Sequence, residues 1–145
     1  MAIQHTGKIL GVDYGDVRTG LAISDPTGFL ASGLMTVKGG GMHHTAVFVA
    51  EEAKKQNAVR IVVGYPKNMD GSEGFRAETV KSFVALLQKE TSLPVELFDE
   101  RLTTVVAHTY LSLSESKKRK EKVDTLSAEI ILQNYLDRMK NISSK

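Results

Sequence analysis

Acidic residues at three distant places in this chain are the groups best suited to chemistry. Asp13 follows the apolar run 8–12, Asp99 and Glu100 follow a strand-like segment, and Asp124 opens a segment with helical periodicity. A carboxylate at the inner end of a central strand is costly unless a cation or strong donors meet it. Hard divalent cations take several oxygen ligands and leave positions open for a substrate phosphate. We therefore predict that these carboxylates converge on a divalent-metal site.

Three strands are predicted in the first part of the chain, around Asp13. The apolar segment 8–12 forms the first strand, Gly15 marks a turn, and segment 20–24 returns as an antiparallel second strand. A short third strand ends near Val37. This arrangement places Asp13 at the inner end of a strand instead of in a solvated loop.

Helices and further strands follow. The apolar residues of three predicted helices recur at the spacing i, i+3, i+4 and i+7, which makes one stripe on each helix. These residues are Ala46, Val49, Ala50 and Ala53; Val80, Phe83, Val84 and Leu87; and Ala128, Ile131, Leu132 and Tyr135. The first of these helices starts near Thr45 and the last at Asp124, and another helix is predicted from about Thr103 to Leu111. Val59–Val63 predicts a buried parallel strand and Val95–Phe98 a further one, so the element order is βββαβαβαα.

Composition limits the class of protein. A chain of 145 residues predicts a single domain, residues 1–145, with a frayed tail at 139–145. The absence of cysteine excludes disulfides, thiolate metal sites and thiol nucleophiles, and the four histidines show no paired zinc spacing. No apolar stretch approaches the ~20 residues that a membrane span needs. We therefore expect a cytoplasmic protein that makes no membrane contact.

Positive charge is concentrated in one segment. The formal net charge of +2 permits an anionic partner without requiring one. The segment SLSESKKRKEK, residues 112–122, gathers Lys117, Lys118, Arg119, Lys120 and Lys122. A solvated, mobile loop is the ordinary interpretation of such a run, and contact with nucleic-acid phosphates is the functional one.

The predicted order of elements is also the chain order of the ribonuclease H-like fold. Four blocks, GVDYGDVRTGLAISD, VGYPKNMDGSEG, DERLTTVVA and VDTLSAEIILQNYL, together resemble the YqgF family. The resemblance spans nearly the whole chain, with small departures at Tyr65 and Ser127, neither of them a proposed ligand. It implies an α/β fold with a five-stranded mixed sheet flanked by helices, in which the first strand lies mid-sheet beside the fourth.

The resemblance also implies an activity. The YqgF family is described both as Holliday-junction resolvases and as the nuclease that matures the 5′ end of pre-16S ribosomal RNA. The resemblance implies that this chain is a metal-dependent phosphodiesterase that uses Mg²⁺ or Mn²⁺ and acts on nucleic acid. Pre-ribosomal RNA is the favoured substrate and branched DNA is the alternative. Carried over by position, the acidic site falls on Asp13, Glu100 and Asp124. Asp99 is a candidate fourth member, although its side chain should point opposite to that of Glu100.

Residues around this site are expected to hold the substrate's phosphate chain. Arg18 lies in the hairpin after Asp13, and a polar loop follows the fourth strand at the edge where open α/β sheets place ligands. The proposed contacts are Arg18, Asn68, Asp70, Gly71, Ser72, Arg101, Lys117, Lys118, Arg119 and Lys120. Purely structural roles stay open for these residues. Asp13 and the polar loop could each form a turn, Asp124 could cap a helix, and Glu100 could form an ion pair with Arg101.

Two other functions are alternatives to a nuclease. The segment DYGDVRTGLA is also similar to the phosphate hairpin of actin-like sugar kinases and ATPases, but that fold clasps its nucleotide between two such domains. A nuclease-fold protein that only binds nucleic acid or a transcription factor is the second alternative, since metal carboxylates can persist for structure. Metal-dependent cleavage of nucleic acid would distinguish a nuclease from both alternatives. The oligomeric state and any ribosomal or transcription partner stay open.

Overall fold

The computed structural model describes residues 7–103 and 116–143, except for the side chains of 116–124, 142 and 143. The strands are β1 (Lys8–Asp13), β2 (Arg18–Ser24), β3 (Ala31–Lys38), β4 (Ala58–Tyr65) and β5 (Val95–Asp99). The helices are α1 (Gly41–Lys55), α2 (Phe75–Glu90) and α3 (Ser116–Ser143), and a short 3₁₀ helix, Glu100–Leu102, follows β5 directly.

The five strands form one mixed sheet in the order β3-β2-β1-β4-β5. β1 and β2 are antiparallel, as are β2 and β3, whereas β1, β4 and β5 run parallel. This confirms the predicted α/β class and the position of the first strand beside the fourth. Because β1, β4 and β5 run in the same direction, their carboxyl ends lie at one edge of the sheet, which we call the acidic edge after Asp13 and Glu100.

The sheet is buried on both faces. The helices α1 and α2 cover one face, where Leu10, Val12 and Phe83 are part of a single apolar cluster. The helix α3 covers the other face, where Ile9 packs in a second cluster with Leu132. Since successive strand residues point to opposite faces, Gly11 and Asp13 belong to the α3 face along with Ile9.

The helix α3 lies very close to β1 because position 11 has no side chain. A Cβ atom added to Gly11 would be 2.8 Å from the Cβ of Leu132 and 3.3 Å from the carbonyl oxygen of Ala128. The helix also satisfies donors of the outermost strand, since the N–H of Ala31 donates to Gln133 and that of Gly33 to Glu129. These contacts seat α3 on the sheet and occupy part of an exposed strand edge.

Two helix boundaries differ from the predictions. The helix α3 begins at Ser116 instead of Asp124, so the predicted helix start at Asp124 is wrong. The loop interpretation of the segment 112–122 is wrong for residues 116–122, and residues 112–115 lie outside the described part of the chain. Lysine, arginine and glutamate are good helix formers, and a segment without apolar periodicity hides this propensity. Similarly, α1 begins at Gly41, four residues before the predicted start near Thr45.

The other end of α3 and the predicted third helix are described only in part. The helix α3 continues to Ser143, and the fraying expected at 139–145 stays a prediction. Thr103 is extended and follows the 3₁₀ helix, and the rest of the predicted helix to Leu111 lies outside the described residues. Within the described ranges, no helix combines the length and apolar character needed to cross a bilayer.

We predict that Gly11→Ala destabilises the protein, because the added methyl group would collide with Leu132 and with helix backbone. Overpacking of this kind costs about 1–3 kcal/mol. Gly74→Ala is the matched control: a Cβ atom there would meet its nearest atom at 3.7 Å, an ordinary contact. Urea unfolding of the two variants should separate them, and an unfolding free energy for Gly11→Ala equal to that of the parent would contradict this packing.

Candidate active site

Asp13 and Glu100 lie on the same face of the sheet at the acidic edge. Val12 pairs with Val63, so Asp13 stands opposite Gly64 in the parallel register of β1 and β4. A Cβ atom added to Gly64 would be 2.8 Å from Oε2 of Glu100 and 2.6 Å from Cδ1 of Ile131. The Glu100 carboxylate therefore occupies the space above Gly64, on the strand next to the one that ends at Asp13.

The environment of Glu100 opposes its charge. Burial raises the pKa of its carboxyl group, the positive charge of Arg76 acts in the opposite direction, and Asp99 adds a smaller upward contribution. A carboxylate that is desolvated and lies near a second carboxylate is a group that favours a bound cation.

Asp99 is held away from this pair. Its carboxylate accepts hydrogen bonds from Arg101 through the backbone N–H at 2.9 Å and through Nη2 at 2.7 Å. These bonds and the charge of Arg101 lower the pKa of Asp99. Asp99 pairs in the ladder with Tyr65, which packs on the α1 and α2 face, whereas Glu100 lies on the α3 face. The structure thus assigns Asp99 to Arg101, and the ion pair considered between Glu100 and Arg101 is replaced by this one.

The polar loop after β4 is a tight turn closed by its own side chains. Asp70 accepts hydrogen bonds from the N–H and Oγ of Ser72 at 2.9 and 2.6 Å, which lower the pKa of its carboxyl group. Asn68 donates to the Ser72 hydroxyl at 2.9 Å, and Gly71 has a left-handed φ of +89°. Arg101 reaches this turn, since its Nη1 lies 3.5 Å from where a Cβ on Gly71 would be. The predicted contacts of these residues with substrate stay predictions.

Arg18 shares a face with Asp13. Asp13 pairs with Gly20 in the antiparallel ladder of β1 and β2, and Arg18 is two residues before Gly20 on the same strand. Alternate strand residues point to the same face, so the exposed Arg18 belongs to the α3 face at the acidic edge. Arg18 therefore lies on the same face and at the same edge as Asp13, and its predicted contact with the substrate stays a prediction.

Asp124 and the basic residues Lys117, Lys118, Arg119 and Lys120 lie outside the residues whose side chains the structure describes. Among the side chains that it does describe, no three acidic or histidine residues are grouped as metal ligands. The described part of the site is thus a pair of carboxylates, and the third proposed ligand stays a prediction. Because position 124 is inside α3 and not at its start, the alternative of a simple helix cap is wrong.

Arg76 is a charged residue of the site that the sequence analysis missed. It lies in the first turn of α2, its charge acts on Glu100, and it lines a small cavity of about 20 Å³ with Tyr14, Gly15 and Asp16. A cation at the start of a helix is opposed by the helix dipole. This unfavourable placement, directly after the polar loop, was the signal that could have identified it.

Comparison with known proteins shows the family to which this chain belongs. The family model described as "RuvX: Holliday junction resolvase" matches residues 7–138. A protein of Heliobacterium modesticaldum is 39% identical over 140 residues, covering 95% of this chain and 94% of its own length. One of Ruminiclostridium cellulolyticum is 43% identical over 135 residues, covering 91% and 95%. Both are named "Putative pre-16S rRNA nuclease".

Two solved structures share the fold at low identity. The RuvC protein of Thermus thermophilus, in complex with a Holliday junction substrate, has a TM-score of 0.56 and 15% identity, covering 92% of this chain and 96% of that one. The fowlpox virus Holliday junction resolvase has a TM-score of 0.52 and 15% identity, covering 92% and 99%. These neighbours confirm the predicted ribonuclease H-like architecture. The family match over most of the chain and the relatives that are about 40% identical identify this chain as a member of the RuvX (YqgF) family of nucleases.

Proposed function

We propose that this chain is a nuclease that requires a divalent metal ion, Mg²⁺ or Mn²⁺, held by Asp13, Glu100 and Asp124. The observation that carries the proposal is the packing of the Glu100 carboxylate over Gly64, beside the strand end that bears Asp13. Burial raises the pKa of Glu100, and a cation at this place would favour its charged form. An oxygen-only donor set of carboxylates suits a hard cation.

The course of α3 supports Asp124 as the third ligand. The side chain of Glu129 meets Gly33, and that of Gln133 meets Ala31, so α3 runs antiparallel to β3. The strands β3 and β1 run in the same direction, since each is antiparallel to β2. The first half of α3 therefore extends toward the acidic edge.

Helical periodicity supports the same assignment. Position 124 is about one turn of 3.6 residues before Ala128, which packs over Gly11 of β1. Asp13 lies two residues beyond Gly11 along β1, in the direction toward which the helix start extends. Aspartate is a poor helix former, and a role as metal ligand would explain its presence inside α3.

The protein's own residues would bind and orient the substrate. Arg18 and Arg76 place positive charge near the carboxylate pair and would hold the phosphate chain there, while Gly64 leaves the room that Glu100 needs. A metal ion, when bound, supplies an activated water for in-line attack and stabilises the departing oxygen. No side chain is required as nucleophile.

The proposed substrate is the precursor of 16S ribosomal RNA, cleaved at its 5′ end in the cytoplasm during ribosome biogenesis. This follows the names of relatives that are about 40% identical over most of the chain. Holliday-junction cleavage is the second candidate, and the description of the family favours it. Both reactions hydrolyse a phosphodiester bond and would use the same carboxylates.

We expect Asp13→Asn to abolish cleavage while the protein stays folded, because the amide keeps the shape of the side chain but loses the charge that binds the ion. The loss should exceed about 100-fold, since even residues that only support metal ligands cost 10–100-fold. The assay uses matched precursor RNA, DNA and four-way junction substrates with Mg²⁺ or Mn²⁺.

The control for that assay is Asp137→Asn, which removes an exposed acid near the far end of α3 and should leave cleavage unchanged. Full activity of Asp13→Asn would remove Asp13 from the mechanism. If the parent binds nucleic acid without a metal ion and cleaves none of the substrates, the alternative of a protein that only binds nucleic acid is favoured.

Glu100→Gln should change stability in a pH-dependent way. The pKa of Glu100 is raised in the folded state, so its charged form destabilises the metal-free protein as pH rises through that pKa. Without divalent ions, we expect Glu100→Gln to melt at a higher temperature than the parent at neutral pH, with the difference disappearing below about pH 4, near the ordinary pKa of glutamate. Adding Mn²⁺ should stabilise the parent more than the variant. A variant that melts lower than the parent at every pH would contradict the role of Glu100.

The basic residues of the segment 117–120 should contribute to affinity for nucleic acid but not to catalysis. Replacing Lys117, Lys118, Arg119 and Lys120 with Gln, which keeps helix propensity, should flatten the salt dependence of binding by ~0.7 in log–log slope for each lost contact to single-stranded substrate. The control replaces Lys54, Lys55, Lys89 and Lys140, none of them at the acidic edge, and removes the same charge. If the parent and the first variant show the same salt dependence of binding, the basic residues contact solvent and not the substrate.

A further inference from the structure

A phenylalanine stands exposed beside the acidic edge. Phe75 is the first residue of α2, and 82% of its surface is accessible, although an aromatic ring of this size is ordinarily buried. The neighbouring residue is Arg76, whose charge acts on Glu100. Both line the small cavity that the segment Tyr14–Asp16, directly after Asp13, also lines. The ring is therefore exposed at the acidic edge, on the α2 side of the sheet, without being part of the core.

The backbone that carries Phe75 is held firmly. The carbonyl of Phe75 accepts a hydrogen bond from the Thr79 hydroxyl at 3.0 Å, within the first turn of α2. The segment just before it is tied to the same helix by an ion pair of 2.6 Å between Glu73 and Lys81. A fixed backbone with a free aromatic side chain is suited to stacking, because little order has to be gained when a flat partner binds.

Other aromatic rings near the acidic edge are engaged in the core. Tyr14 is buried and stacks on Phe83, with ring centroids 4.4 Å apart and planes inclined by 21°. Tyr65 is also buried. Phe29, which is 58% exposed, belongs to the turn between β2 and β3 at the opposite edge, with Lys140 3.7 Å above its ring. Among the described aromatic side chains, Phe75 alone is exposed at the acidic edge.

The charges around Phe75 suit an anionic, planar ligand. The Arg76 guanidinium is exposed and adjacent in sequence, and Asp16 supplies an opposing carboxylate at the same cavity. A nucleotide presents both required features, a flat base for the ring and a phosphate for the arginine. Asp16 would disfavour a phosphate on its side of the cavity, which leaves the side of Arg76.

We propose that Phe75 is a stacking platform for one unpaired nucleobase of the substrate, next to a backbone phosphate that Arg76 contacts. The proposal rests on the proposed nuclease function and deepens it by naming a substrate class. A base within a duplex has both faces covered by its neighbours, so a base that stacks on Phe75 must be unpaired. The site therefore takes nucleic acid that is single-stranded beside the cleaved bond.

The test uses the full chain carrying Asp13→Asn, so that bound RNA is not cleaved, and a single-stranded RNA oligonucleotide of precursor sequence with Mg²⁺ present. Phe75→Ala should weaken binding by about 5- to 150-fold, the range for loss of one base–aromatic stack. Phe75→Trp should restore affinity, whereas Phe75→Leu, which keeps an apolar side chain, should not. Phe29→Ala is the matched control and should bind as the parent does.

A second set of oligonucleotides locates the stacked base. Abasic sites are placed one at a time along the RNA, and at one position the difference between the parent and Phe75→Ala should disappear. A 2-aminopurine at that position should lose fluorescence on binding the parent and keep it on binding Phe75→Ala. Fully duplex RNA should bind the two proteins equally well.

The outcomes separate this inference from the proposed function. If the chain with Asp13 intact cleaves RNA and Phe75→Ala binds as tightly as the parent, the stacking platform is wrong and the nuclease function stands. An equal loss of affinity for duplex and single strand would overturn the assignment of an unpaired base. If the parent neither binds nor cleaves any nucleic acid, both proposals fail. Melting curves for each variant show whether a loss of binding reflects unfolding.

Discussion

The close approach of α3 to the sheet is the constraint on which the rest of this structure depends. It is possible because β1 and β4 carry glycine where the helix is nearest: Gly11 leaves room for Leu132, and Gly64 leaves room for Ile131 and the Glu100 carboxylate. A side chain at Gly64 would collide with Ile131 and displace the Glu100 carboxylate. The arrangement partly buries a charge at a cost in stability, which is typical of sites that bind a cation.

The parallel register of the sheet turns this local packing into a site. The carboxyl ends of β1, β4 and β5 meet at one edge, so acidic residues far apart in the chain become neighbours. Because successive residues point to opposite faces of the sheet, the side chains of the adjacent Asp99 and Glu100 are separated. Asp99 points to the α1 and α2 side and is neutralised by Arg101, while Glu100 points to the α3 side and keeps its carboxylate near Asp13.

The sheet and the rim of the site serve different purposes. The sheet is shared with RuvC and with the fowlpox resolvase at 15% identity, so it is compatible with quite different sequences. Shared architecture does not by itself select a substrate. Selection depends on what surrounds the carboxylates. In this chain the surrounding exposed groups include Arg18, Phe75 and Arg76, on the hairpin and helix start that flank the acidic edge.

The sequence by itself determined the order of elements from β1 to β5 and the acidic strand ends, because apolar periodicity and glycine punctuation act over a few residues. The five-stranded mixed sheet was implied by the family resemblance. Only the tertiary structure decided that Asp99 is paired with Arg101 while the Glu100 carboxylate packs over Gly64, since this depends on where β5 ends and which face Gly64 leaves open. The start of α3 at Ser116 was also beyond local patterns, whereas Arg76 left one local signal, a cation in the first turn of a helix. A polar helix has no apolar stripe to reveal it. The charge of Arg76 acts on Glu100 only when folding brings it near this partly buried carboxylate.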